Sequence, residues 1–197
     1  MKSLINNLNT AYIIPFVLLL TISPTLFGQD HTIGNDLGEN PIQTQMRGNN
    51  IISCTHYGSI KFNGYTIDEV NATDGNNSSV QSLWGTFSSV KVLTWQKAFL
   101  FNTNKVSFNT EQKRVTRIEI NNNQWPIKVL AKEIRVGDSF SELQQKFGSD
   151  LKIIYKPDID PNYAVSFDCS GNDYDGLLID LNPETNKVVK ITYFMNP

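Results

Sequence analysis

The chain has 197 residues, 40% hydrophobic and 18% charged, a balance that supplies a core and excludes general disorder. Its formal net charge of −2 gives no electrostatic footprint for nucleic acid or an anionic membrane surface.

Residues 1–28 carry the three parts of a secretory signal peptide. Lys2 and the α-amino group supply positive charge, 11–22 (AYIIPFVLLLTI) is an apolar run of suitable length, and Ser23, Pro24, Thr25 and Gly28 end it. Cleavage is expected after Gly28 or Gln29. A retained membrane anchor is the alternative, because no charge falls between Leu4 and Gln29. Pro15 and Pro24 weigh against one long helix. No cysteine lies near the cleavage point, which argues against a lipoprotein. The expected location is periplasmic or secreted, with no membrane insertion after cleavage. Residues 29–50 hold few apolar side chains and many Gly, Asn and Asp, and read as a flexible lead-in.

Folded patterning begins near Ile51 and falls into two units, 51–123 and 124–197, expected to form one continuous domain. In the first, Ile60, Lys61, Ile67 and Val70 read as an extended segment, and the 71–77 stretch (NATDGNN) as a loop. A short helix is predicted over 78–84, with Val80, Leu83 and Trp84 on one face and Ser78-x-x-Gln81 as a capping box. Strands follow in 90–101, with Leu93, Trp95, Phe99 and Phe101 on one face. A hairpin then runs from Val106 and Phe108 through 109–120. In the second unit Ile127, Lys128, Ile134 and Val136 are extended. Ser139-x-x-Glu142 caps a helix over 139–147 with Phe140, Leu143 and Phe147 on one face. Gly85 and Gly148 stand where each helix should stop. Leu151 to Tyr155 is strand-like. Tyr163, Val165, Phe167 and Cys169 share the face of a further strand, and Leu177, Ile179 and Leu181 lead into a closing hairpin.

The units match one another in order. Residues 109–120 (NTEQKRVTRIEI) align with 182–193 (NPETNKVVKITY), 78–85 (SSVQSLWG) with 140–148 (FSELQQKFG), and Ile60-Lys61 with Ile127-Lys128. The expected class is α+β: a tandem repeat of a short helix plus antiparallel strands, with the helices packed on one face of a shared sheet.

Residues 134–148 (IRVGDSFSELQQKFG) resemble the helix-opening motif of the small lipoprotein of the outer-membrane β-barrel assembly machine. The doubled arrangement resembles the β-lactamase inhibitor protein fold, in which tandem helix-plus-sheet units form one concave sheet. The resemblance implies protein binding on the exposed sheet face, and assigns no inhibitory residue to a position here.

The candidate chemistry is sparse. Cys54 and Cys169 form either a disulfide in an oxidising compartment or two buried thiols. Cys54-x-His56 on a strand would need further metal ligands from elsewhere, and His31 falls in the lead-in. The run Asp158, Asp160, Asp168, Asp173, Asp175, Asp180 could supply paired carboxylates for a hydrolase. Asp173-x-Asp175-Gly176 matches only part of a calcium loop, so a solvated turn is the preferred reading. No cofactor-binding motif or nucleophile elbow occurs. Trp84, Trp95 and Trp125 are each core residues or partner anchors. The leading expectation is a non-enzymatic protein-binding module, a class that includes inhibitor and immunity-type roles. An envelope-assembly factor and a carboxylate-dependent hydrolase are the alternatives. The contact residues expected on the uncovered face are Asp168 and Asp180, with Tyr163, Tyr174 and Tyr193 at its edge.

Overall fold

The alternating segments of the chain pair as strands in two sheets, and the short helices fall between them in sequence. The computed structural model describes residues 48–169 and 176–195. The expected signal segment 1–28, residues 29–47 of the lead-in, and residues 170–175, with Asp173, Tyr174 and Asp175, lie outside the described residues. All described residues belong to one compact unit, Glu39–Pro197.

The elements in chain order are β1 (Asn50–Ile51), α1 (Cys54–Gly58), β2 (Lys61–Phe62), β3 (Tyr65–Thr66), α2 (Ile67–Asn71), α3 (Asn77–Trp84), β4 (Ser89–Val92), β5 (Gln96–Phe101), β6 (Asn104–Asn109) and β7 (Val115–Ile120). The second half adds β8 (Ile127–Val129), β9 (Lys132–Ile134), α4 (Phe140–Phe147), β10 (Ile154–Tyr155), β11 (Tyr163–Asp168), β12 (Gly176–Asn182) and β13 (Lys187–Phe194). The fold is therefore α+β. Among the described residues a nine-stranded sheet runs β1-β11-β12-β13-β7-β6-β5-β4, with β10 also on β11, and a four-stranded sheet runs β3-β2-β8-β9. The two halves meet where β7 pairs antiparallel with β13, Ile120 opposite Ile191, and where β2 pairs antiparallel with β8.

Register defines the buried face of the large sheet. Val165 stands opposite Ile179, Ile179 opposite Ile191, Ile191 opposite Ile120, Val106 opposite Ile118, and Phe99 opposite Val106. All seven side chains are fully buried, so the face is a continuous apolar strip across both halves. Trp84 of α3 meets Phe101 at 5.9 Å between ring centroids, and Phe147 of α4 meets Phe167 at 5.1 Å. Phe101 and Phe167 lie on that same strip, so each helix contributes an aromatic to it. Val80, Phe140 and Leu143 are buried with it, as their helical spacing requires.

The 134–148 motif is explained by its hydrogen bonds. Ser139 Oγ accepts from Glu142 N, and Glu142 Oε2 accepts from Ser139 N, a reciprocal capping box at the start of α4. Asp138 Oδ2 accepts from Arg135 N at 3.1 Å and from Lys146 Nζ at 2.8 Å. The N–H groups of Gly137 and Phe140 donate to the carbonyls of Val188 and Asn186, which seats the motif on the start of β13.

Several local expectations are corrected. The first helix starts at Asn77, and its cap is Asn76, whose Oδ1 accepts from Ser78 N at 3.0 Å; Ser78 lies inside the helix and forms no capping box with Gln81. Ile67 and Val70 are not extended. Thr66 and Glu69 form a capping box that starts α2, placing the two apolar residues one helical turn apart. Segment 90–101 is a hairpin, because Leu93 N donates to Gln96 O and closes a turn between β4 and β5. Leu93 and Trp95 therefore leave the apolar face on which Phe99 and Phe101 remain. Cys54 and His56 lie in a helix rather than a strand, capped by Ser53. The end of the 29–50 lead-in is ordered: Gly48 N donates to Ile153 O, and the Asn50 amide donates to the carbonyls of Lys152 and Ser166.

Candidate functional site

The back of the large sheet is where the sequence places a contact surface. Strand alternation does turn Ser166, Asp168 and Asp180 away from the apolar strip, as the register of β11 and β12 requires. They are nevertheless buried, with Asp168 5% and Asp180 6% exposed. Asp180 Oδ1 accepts from Lys156 Nζ at 2.5 Å, an ion pair whose side chains are 9% and 13% exposed. A patch meant to meet a partner through these carboxylates would need them in solvent.

Tyr163 and Tyr193 are also corrected. Both lie on the apolar strip, where Tyr163 contacts Tyr155 and Tyr193 contacts Phe62. Their burial leaves no ring free to anchor a partner. Tyr174 lies outside the described residues. The back face is not acidic at its centre either. Glu119 Oε2 takes Lys105 Nζ at 2.6 Å, while Oε1 takes Arg117 Nε at 2.8 Å and Lys190 Nζ at 3.8 Å. Burial pushes the Glu119 carboxyl up, but the hydrogen bond from Lys105 and the charges of Arg117 and Lys190 outweigh it and hold the pKa below the usual range.

Cys54 and Cys169 are bridged, with Cα atoms 4.8 Å apart, which decides between a disulfide and two thiols. The bridge ties α1 to the end of β11. With Cys54 oxidised and His56 exposed, the Cys54-x-His56 pair offers no thiolate for a metal. Among the described residues no three His, Cys, Asp or Glu side chains gather at a metal-binding distance. Asp158 and Asp160 are exposed, and among the described residues neither forms an ion pair or joins the Lys156–Asp180 contact.

Exposed apolar surface collects instead at the β4–β5 hairpin tip. Val92, Leu93 and Trp95 are 64%, 41% and 62% exposed, while Trp84 and Trp125 pack together at 5.0 Å in the interior. The tip is fastened from below: Thr110 Oγ1 donates to Thr94 O at 2.6 Å and Thr110 N donates to Trp95 O at 3.2 Å. Backbone hydrogen bonding thus fixes the turn while the apolar side chains project outward. Next to it β4 ends the large sheet, pairing only with β5 among the described residues. The sequence signal for this tip was the polar Thr94 between Leu93 and Trp95, which alternation alone does not distinguish from a strand.

No family model and no curated protein matches the chain. Two solved structures resemble it weakly. An extracellular protein containing an SCP domain from Bacillus anthracis str. Ames is 12% identical over 62% of this chain and 43% of that one, with a TM-score of 0.36. A cysteine-rich secretory protein from Staphylococcus aureus subsp. aureus Mu50 is 11% identical over 80% of this chain and 49% of that one, with a TM-score of 0.36. The chain spans less than half the length of each, and scores at this level assign it neither a fold family nor an activity.

Proposed function

We propose that the mature chain is an exported, non-enzymatic protein-binding module that docks through the β4–β5 hairpin tip. The observation that carries the reading is the joint exposure of Val92, Leu93 and Trp95 on a turn whose carbonyls are held by Thr110. Apolar side chains clustered at one preorganised place favour a macromolecular contact, with tryptophan the most frequent energetic anchor. Export is supported by the leader pattern of residues 1–28 and by the Cys54–Cys169 bridge, which persists in an oxidising compartment.

The two halves are read as an internal duplication. Each runs hairpin, helix, then antiparallel strands: β2–β3, α3, β4–β7 and β8–β9, α4, β10–β13, the first half carrying α2 as an additional short helix between β3 and α3. Both sheets join the halves through one antiparallel pair, β2 with β8 and β7 with β13. That order supports the resemblance to the β-lactamase inhibitor arrangement and, with it, an inhibitor or immunity-type role.

The test is capture of partners from the native envelope and secreted fractions by the mature chain, against a Trp95→Ala, Leu93→Ser bait. A protein retained by the first bait and lost by the second is expected. Equal capture by both moves the contact away from the tip. Outer-membrane proteins as the captured species would favour the assembly-factor role. Saturable substrate turnover by the mature chain would overturn the non-enzymatic reading.

A further inference from the structure

Half-buried lysines of the large sheet and of α4 are paired with carboxylates: Lys105 and Lys190 with Glu119, Lys156 with Asp180, and Lys146 with Asp138. Lys97 of β5 is different. Its Nζ donates to the carbonyl of Gly75 at 2.8 Å and stands 5.0 Å from the centre of the Phe99 ring, both uncharged partners. Neither Lys97 nor Lys113 forms an ion pair among the described residues.

The two lysines line one cleft of about 340 Å3, together with Asp74, Asn76, Phe108 and Thr110. Gly75 fits this turn closely. Its φ is +62°, and a Cβ would lie 3.1 Å from the Phe108 ring, so glycine lets the loop bring its carbonyl to Lys97 without strain or displacement of that ring. Burial lowers the pKa of Lys97 and the charge of Lys113 lowers it further. A cation that has given up hydration, facing a second cation, is stabilised by any anion that enters between them.

We propose that the Lys97–Lys113 cleft binds a carboxylate, an acidic side chain of the partner that docks on the β4–β5 tip. This rests on the protein-binding reading above. Three features select that ligand. Thr110 both lines the cleft and hydrogen-bonds the carbonyls of Thr94 and Trp95, so the cleft adjoins the base of the tip. Exposed Asp74 on the lining leaves the cleft a formal surplus of one positive charge, which matches a monoanion and disfavours a dianion. The volume leaves room for an acidic side chain together with the surface that carries it. The partner sought is therefore a protein surface with an aspartate or glutamate next to an apolar patch.

The experiment is a titration of the purified mature chain with N-acetylglutamate methylamide, followed by lysine side-chain NMR, with the glutamine analogue and inorganic phosphate as comparators. Saturable shifts at Lys97 and Lys113, absent at exposed Lys91, are expected with the glutamate probe and not with the glutamine one. The Lys97 titration midpoint should rise in the presence of the probe. Lys97→Gln and Lys113→Gln, checked for native circular dichroism, should each weaken binding about tenfold, as loss of one charge-assisted contact implies. Shifts at Lys97 no larger than at Lys91 overturn the site, and tighter binding of phosphate than of the glutamate probe overturns its assignment to a carboxylate. Trp95→Ala leaves this titration unchanged. Failure of tip docking is therefore read from partner capture, and failure of the carboxylate site from the titration.

Discussion

Lys156 Nζ and Asp180 Oδ1 lie 2.5 Å apart on the back of the large sheet, almost out of reach of water. Removing one partner would strand the other charge in a poorly solvated place. Asp180→Ala should lower unfolding stability by about 3 kcal/mol, the cost typical of breaking a buried pair. A Lys156→Met, Asp180→Leu double variant should recover much of that loss, because it removes both desolvated charges together. Urea denaturation of the three proteins measures this. A loss below ~0.5 kcal/mol for Asp180→Ala would mean that the pair is solvated and that Asp180 is free for other work.

Helix capping gives a second, local test. Asn76→Ala should cost about 1 kcal/mol, because its Oδ1 is the acceptor for the first turn of α3. Ser78→Ala should change stability by only a few tenths, since the helix propensity gained by alanine offsets the exposed hydroxyl hydrogen bond to Asn76 that is lost. A loss of about 1 kcal/mol at Ser78 with none at Asn76 would return the cap to Ser78.

The Cys54–Cys169 bridge closes a loop with a sequence separation of 115 residues. Replacing both cysteines by serine should destabilise the chain by about 2–5 kcal/mol, chiefly by freeing the unfolded state. Thermal unfolding of the oxidised wild type and of the variant measures it. A Tm unchanged by the substitution would show that β1 and α1 hold their places without the bridge.

Acid should weaken the back face. The Glu119 carboxyl is held below its usual 4.5 in the folded state by Lys105, Arg117 and Lys190 acting against burial. A lowered folded pKa contributes stability that is fully present above the unfolded value and lost as pH falls through the folded one. Denaturation midpoints should therefore be level near neutrality and fall below about pH 4.5, with a shallower fall in Glu119→Gln. An identical acid limb in that variant would assign the effect to other carboxylates, such as Glu69 and Glu142 in their capping boxes, which are also held low.

Trp95→Ala should leave stability within about 0.5 kcal/mol, because the indole is 62% exposed and the turn is held through backbone carbonyls. A larger loss, read from the same urea curves, would make Trp95 a structural residue and weaken its role as a contact.

The sequence by itself determined what depends on near neighbours. Ser139-x-x-Glu142 places the start of α4 because a capping box is closed within four residues. Alternation in 163–169 and 177–181 assigns Val165, Phe167, Ile179 and Leu181 to one face, since the period of a strand is two whatever lies around it. The missed α2 was legible by the same rule, in Thr66-x-x-Glu69. Tertiary structure alone decided exposure. Alternation says which way Asp168 and Asp180 turn, but their burial depends on segments distant in the chain, such as Lys156 reaching Asp180. It also decided that Trp95 projects while Trp84 and Trp125 pack, and that Lys97 and Lys113 share a cleft with Asp74. Those outcomes come from segments distant in sequence folding onto one another, such as β5, the 109–114 loop and the approach to α3 at the cleft, and no periodicity within any single segment encodes them.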